Sequence, residues 1–215
     1  MAIQNTLPDP NNKVLRSGEA SASGVAGPGF ASVKLDSNQK IMRDRTNAGR
    51  IISRRASYHK WDITISYNPM TRAEMDPVFN FLLEKQGSLK PFFVSLPQYR
   101  NQTTTDKTVV GAHTAGSSTV SLAPFTDGDV IPGEMFTITD LTDSSHTKAY
   151  VVTRANATTN EITFTPALAK NVATGSTLDF SNPLIRVIQT QDIQSYSLNT
   201  ENLYSFSLRL EEANS

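Results

Sequence analysis

The 215-residue chain contains no cysteine. This absence excludes disulfides and thiolate metal sites, and it indicates a protein made in a reducing cytoplasm. Long apolar runs are also missing, because no stretch approaches the ~20 apolar residues of a membrane span. Only 38% of the residues are hydrophobic, which is typical of a water-soluble protein. The first residues lack the charged and apolar regions of a secretory signal, so we expect none.

An excess of charge and the common catalytic motifs are missing too. Basic and acidic residues number 20 each, so the net charge gives no general attraction to nucleic acid. The sequence has no H-E-x-x-H helix, G-x-S-x-G elbow or phosphate-binding glycine loop. His59, His113 and His146 lack metal spacing and are predicted to be surface or hairpin residues. Asp140 and Asp143 bracket a turn without an EF-hand pattern. The sequence therefore predicts no enzyme, no metal and no cofactor.

The clearest pattern that is present begins at Lys60. From Trp61 to Tyr67 apolar residues alternate with polar ones, a period of two that predicts a strand with one apolar face. Asn68 and Pro69 end this strand, since proline cannot donate to a strand ladder.

A single helix is predicted next, over about residues 72–86. Thr71 stands three residues before Glu74, which is the spacing of a capping box. Pro77 leaves two starts open: a helix that begins after Thr71 and kinks at Pro77, or one that uses Asp76 as its N-cap. We prefer the first. The apolar stripe of this helix consists of Met75, Val78, Phe79, Leu82 and Leu83.

The helix needs partner strands. Gly87 fits the helix end, and residues 91–96 predict a second apolar strand. Such a strand–helix–strand unit is not stable alone, because its sheet edges and the helix need cover. Residues 184–189 and 203–210 alternate in the same way and are predicted to be the partner strands.

Residues 101–183 differ in character from the rest of the chain. They are rich in Thr, Ser, Ala and Val, and they contain a short candidate strand about every ten residues, with turn signals between. This spacing predicts a small barrel or sandwich, inserted between the strand that ends at Pro97 and the one that starts at Leu184. The candidate strands are 107–111, 118–122, 134–141, 147–155, 161–165 and 177–180.

Two segments precede the alternating strand. Residues 1–32 have no periodicity and are predicted to be an extended arm that contacts other subunits; a flexible leader and an arm folded back on its own domain are the alternatives. Residues 40–55 carry six basic residues and one acidic residue, a net formal charge of +5. We expect a hairpin or long loop with its turn at Asn47-Ala48-Gly49.

The C-terminal region 174–215 has a net formal charge of −3, opposite to that of the hairpin. Pairing between the two, within one chain or between subunits, is one interpretation. A solvated basic face and contact with nucleic acid are the others, although no aromatic residue is interleaved to stack on bases. The candidate interface residues are Arg43, Arg45, Arg50, Arg54, Arg55, Glu201, Glu211 and Glu212.

The stretch from residue 60 to 97 resembles the N-terminal part of tailed-bacteriophage tail proteins of the distal-tail or tail-tube kind. The resemblance rests on the aromatic strand Trp61–Tyr67, the helix opening Thr71-Arg72-Ala73-Glu74, Phe81-Leu82, Gly87, and Phe92-Phe93 leading to Leu96-Pro97. The closing segment Leu203–Leu208 with Glu211-Glu212 looks like the last strand of the same family. Residues 132–138 and 146–152 are similar to small β-domains that such proteins carry.

This resemblance implies a mainly β (α+β) fold: a tail-tube-like β-sandwich or split barrel with one flanking helix, plus an inserted small β-barrel. The implied domains are an arm over 1–32, a discontinuous β domain over 33–100 and 184–215, and the insert over 101–183. The resemblance also implies a hexameric ring around a DNA channel, formed by strand pairing between neighbours, with other tail or baseplate proteins as partners.

The sequence thus predicts a structural virion protein of a phage tail, made in the host cytoplasm, that forms a ring or distal adaptor. A receptor- or carbohydrate-binding accessory tail module is the alternative. A neck or head-completion protein is a further one.

Overall fold

The computed structural model describes residues 5–8, 14–15, 19–20, 30–100 and 102–213. Most of the predicted arm over 1–32 lies outside these residues. The strands in chain order are β1 (Val14–Leu15), β2 (Glu19–Ala20), β3 (Phe30–Arg45), β4 (Ile51–Tyr67), β5 (Phe92–Ser95), β6 (Lys107–Thr108), β7 (Thr119–Ser121), β8 (Met135–Thr139), β9 (Ala149–Asn156), β10 (Glu161–Thr165), β11 (Thr177–Asp179), β12 (Leu184–Gln189), β13 (Ser197–Leu198), β14 (Tyr204–Ser205) and β15 (Ser207–Glu212). The helix α1 spans Arg72–Lys85, and Pro97–Tyr99 form a 3₁₀ turn. The predicted mainly β class is confirmed.

The chain divides into two compact units. The sheet unit comprises Pro8–Pro91 and Val187–Ala213, and the barrel unit comprises Met1–Leu7, Phe92–Arg186 and Asn214–Ser215. The end of β12 belongs to the sheet unit, and its beginning belongs to the barrel unit.

The sheet unit is built on β4. In the antiparallel sheet, β3 pairs with one side of β4 and β15 with the other, and β15 in turn pairs with the end of β12. Trp61, Ile63, Ile65 and Tyr67 are buried while the residues between them are half-buried, as the alternation predicts. Tyr67 stacks on Phe206 at a ring-centroid distance of 4.4 Å.

Helix α1 begins after Thr71, so the start at Asp76 is wrong. The Glu74 carboxylate accepts hydrogen bonds from the Thr71 backbone N–H (2.9 Å) and hydroxyl (2.8 Å). Pro77 lies inside the helix and removes one intrahelical hydrogen bond. The acceptor freed is the carbonyl of Ala73, an exposed residue, so the missing bond costs little.

One sheet of the barrel unit has six strands, in the order β6-β11-β8-β9-β10-β7. The sheet closes on itself, because the Val110 N–H donates to the Ser121 carbonyl (2.9 Å) and the Ala123 N–H donates to the Thr108 carbonyl (2.8 Å). Aromatic rings of Phe136, Tyr150, Phe164 and Phe180 fill the interior at centroid distances of 5.2–5.5 Å. Also in this unit, residues 5–7 pair with Phe93 of β5.

Two histidines are not where the sequence predicts them. His59 and His146 are buried rather than exposed. His59 continues the buried face of β4, and its Nε2 lies 2.9 Å from the Ser37 hydroxyl. His146 lies 2.8 Å from the Tyr150 hydroxyl through Nε2. The Tyr150 hydroxyl also accepts the Ala169 N–H, and burial lowers the pKa of the His146 imidazole.

Gly87 permits a close approach at the end of α1. Its φ of +63° is in the left-handed region, and a Cβ there would lie 2.9 Å from Cα of Asp192. Asp192 also accepts hydrogen bonds from the Ser88 backbone N–H (3.2 Å) and hydroxyl (2.5 Å). The helix end and the segment after β12 are therefore fixed to each other.

We predict that Gly87→Ala lowers the free energy of unfolding of the sheet unit by at least about 2 kcal/mol, since backbone strain of about 1–2 kcal/mol adds to the steric conflict with Asp192. Urea unfolding followed by fluorescence of Trp61, the single tryptophan of the chain, measures it. Gly49→Ala is the control, because Gly49 has a φ of +81° but nothing within 4 Å of its Cβ position. Equal losses for the two variants would contradict the close approach.

Candidate assembly surface

The hairpin of β3 and β4 extends beyond the rest of its sheet. The ladder between β4 and β15 covers Asp62 to Ser66, whereas β3 and β4 stay paired as far as Arg45 and Ile51. We call residues 40–55 the distal hairpin. Its turn spans residues 46–50 and includes the predicted turn residues 47–49. The Gly49 N–H donates a hydrogen bond to the Thr46 carbonyl (2.8 Å), and the Arg50 N–H donates one to the Thr46 hydroxyl (3.1 Å).

Apolar side chains of the distal hairpin face solvent. Four of them are exposed, two on each strand: Ile41, Met42, Ile51 and Ile52. A strand buried on one side would show alternation, but residues 40–45 and 50–54 are all exposed. The distal hairpin therefore has no apolar core of its own.

The register assigns the residues of the hairpin to two faces, because directly opposed residues of an antiparallel pair share a face. Arg45 faces Ile51 and Arg43 faces Ser53, and Ile41 lies on the same face, two residues before Arg43; we call this the basic face. The opposite face carries the pairs Met42–Arg54 and Asp44–Ile52. Thus the one acidic residue of the hairpin lies away from Arg43 and Arg45.

The structure brings the predicted basic candidates together on this hairpin. Arg43, Arg45, Arg50 and Arg54 are exposed, and none forms an ion pair with another residue in the described part of the chain. Their charges are therefore available to a partner.

The acidic candidates are separated from one another. Glu211 pairs with Lys60 at 2.5 Å, and Glu212 is buried and accepts the Trp61 backbone N–H at 3.2 Å. Both thus serve the contact between β15 and β4 in their own chain. Glu201 is exposed, in the turn between β13 and β14.

Sequence patterns did not indicate the exposed apolar residues after β12. Ile193 is 81% exposed, and Tyr196 and Leu198 are half-exposed. The spacing of these residues fits neither a strand nor a helix, so the sequence predicts an ordinary loop. The signal that could have found them is their apolar character in a stretch with no basic residue.

The carboxylate of Asp140, in the barrel unit, is hydrogen-bonded within its own chain. Asp140 is buried, and it accepts hydrogen bonds from Thr142, Asp143, Ala173 and Ser176 at 2.7–2.9 Å. Burial by itself raises the pKa of this carboxyl, but the donors outweigh it and hold the pKa well below its usual range. No group of three or more potential ligands capable of holding a metal ion occurs among the described residues.

The protruding hairpin presents basic and exposed apolar side chains, and clustered exposed apolar groups are typical of interaction surfaces. Residues 7–99 match the family model described as distal tail protein pb9, A domain, N-terminal. This match confirms the predicted resemblance to tailed-bacteriophage tail proteins. The match supports a structural role in a phage tail. A search of curated proteins finds no match, and no described helix is both long and apolar enough for a membrane span.

We predict that Asp140→Asn destabilises the barrel unit by on the order of 2 kcal/mol at pH 7, since it weakens charge-assisted hydrogen bonds. The pKa in the folded state lies below the usual value of about 3.9, so the stabilisation is present above that pH and is lost as the pH falls. Thermal unfolding followed by circular dichroism should show a difference from wild type that shrinks below about pH 4. Asp127→Asn, at an exposed position, is the control. A pH-independent difference for Asp140→Asn would contradict the stabilising role of the ionised Asp140 carboxylate.

Proposed function

We propose that the chain forms a hexameric ring at the distal end of the tail, where it acts as a structural adaptor between the tube and the baseplate. Neighbouring subunits join through strand β3 and the distal hairpin. The role is structural rather than catalytic. The hexamer and the distal position follow from the family resemblance, whereas the contact surface follows from the geometry below.

The observation that carries this proposal is the unpaired outer side of β3. This strand is 16 residues long, it contains neither proline nor glycine, and its one strand partner among the described residues is β4. An exposed strand edge of this length presents backbone groups to another chain. Beyond Gln39 the hairpin is a two-stranded ribbon, which is marginally stable in water by itself. A neighbouring subunit provides both the missing backbone partners and cover for the exposed apolar residues.

The remaining segments have roles that follow from this arrangement. We propose that 33–100 and 184–215 form the ring domain, with the 1–32 arm fastening neighbours. The inserted 101–183 domain faces outward, toward other tail or baseplate proteins. DNA passes the lumen of the ring without a specific contact.

We predict that replacing Arg43–Ser53 by Asn-Gly abolishes ring formation and leaves the monomer folded. The register joins Met42 to Arg54 through a two-residue turn, which Asn-Gly favours. Native mass spectrometry and electron microscopy, on the purified chain alone and with its tail partners, measure assembly. Trp61 fluorescence reports the fold.

The matched control is Ala48→Ser, a change at the exposed tip that keeps the full hairpin. It should assemble like wild type. Normal rings from the shortened variant would contradict the role of the hairpin, and a wild-type chain that stays monomeric under all these conditions would contradict the ring.

A further inference from the structure

A second exposed apolar surface lies in the sheet unit, on the segment 190–202 that follows β12. Ile193, Tyr196 and Leu198 expose half or more of their surface. Large apolar residues that are exposed close together mark an interaction site more often than isolated ones do. Both this segment and the distal hairpin thus carry apolar groups that their own chain leaves uncovered.

The segment is held in place by its own unit. Asp192 accepts two hydrogen bonds from Ser88, at the end of α1. The Tyr196 ring packs edge-on against Phe79 at 5.3 Å and lies 5.4 Å from Tyr204. Strand β13 pairs with β14, and the turn between them is closed by the Asn199 N–H, which donates to the Leu203 carbonyl at 3.0 Å. The exposed side chains are therefore presented on a fixed backbone.

The charges of the two surfaces are opposite. Residues 190–202 contain Asp192 and Glu201 and no basic residue, a net formal charge of −2, whereas the distal hairpin carries +5. On the basic face, Arg43 and Arg45 lie beside Ile41 and Ile51. Apolar groups flanked by arginines on one surface complement apolar groups flanked by carboxylates on the other.

We infer that the basic face of the distal hairpin of one copy docks on the segment 190–202 of the next copy. This inference rests on the proposed ring and names the two surfaces that meet in it. The contact joins two different surfaces of the chain, so repeating it from copy to copy gives a closed ring when the rotation between neighbours closes. Ile41 and Ile51 cover the apolar residues of the segment, and the arginines lie near Glu201 and Asp192.

The absence of native cysteine allows a direct cross-linking test. Ile51→Cys and Ile193→Cys are made in separate chains, co-assembled, and treated with a short bismaleimide. We expect dimers that contain one chain of each kind, and no dimers of Ile51→Cys with itself. The chain that carries both substitutions should give a ladder of covalent species that ends at the ring size.

Ile52→Cys is the matched control for Ile51→Cys. The two side chains are exposed to nearly equal extents, 54% and 59%, but they lie on opposite faces of the hairpin. We expect a several-fold lower cross-linking yield from Ile52→Cys. Rings that form normally but give equal yields, or no cross-link from Ile51→Cys to Ile193→Cys, would overturn the inference and leave the ring intact. A chain that forms no oligomer would overturn the ring as well.

Charge reversal provides an independent prediction. Arg43→Glu should weaken self-association about tenfold, because it places a carboxylate against the acidic segment. Adding Glu201→Arg to the same chain should restore much of the loss. The control Arg54→Glu, on the opposite face, should have a much smaller effect. Analytical ultracentrifugation measures all three, and equal effects of Arg43→Glu and Arg54→Glu would count against the basic face as the docking surface.

Discussion

The pairing of β4 on both of its sides is the constraint on which the sheet unit depends. Between Asp62 and Ser66, β4 has β3 on one side and β15 on the other. Two contacts mark the point where β15 ends: the ion pair of Lys60 with Glu211, and the hydrogen bond from the Trp61 N–H to Glu212. Up to that point one face of β4 is buried. Past it, β4 has β3 as its one strand partner, and its residues 51–54 are exposed, so the same strand passes from a structural element into the exposed distal hairpin.

This transition links the order of the distal hairpin to the proposed assembly. A ribbon of two strands with exposed apolar groups on both faces gains little from its own packing. In the proposed ring, a neighbouring subunit supplies the additional stabilisation. Two features of β3 discourage non-specific pairing of its outer edge with other strands. These are its lysine and arginine residues and the register irregularity between Gln39 and Ile41. Selective pairing therefore requires a partner of opposite charge, which limits the surfaces that the distal hairpin can contact.

Much of the scaffold could be predicted from the sequence, because its periods are local. The alternation around Ile63, the helix start at Thr71 and the return strand at 207–212 all follow from such periods. The length of β3 and β4 could not be predicted, since the alternation that signals a strand comes from burial on one face, and residues 40–54 are buried on neither. The same reasoning applies to the candidate surface: the arginines are visible as a charge run, whereas the exposure of Ile193 depends on the fold.

The charge distribution also bears on the symmetry of assembly. A two-fold pairing of one β3 edge with another would bring two hairpins, each with a net formal charge of +5, alongside one another, and like charges in contact are strongly unfavourable. Contact of a hairpin with the −2 segment 190–202 avoids this repulsion. Because the two surfaces are different parts of one chain, every added copy would offer one of each, and in the proposed ring association would continue until the ring closes. The charge pattern thus acts against a symmetric dimer and in favour of head-to-tail closure.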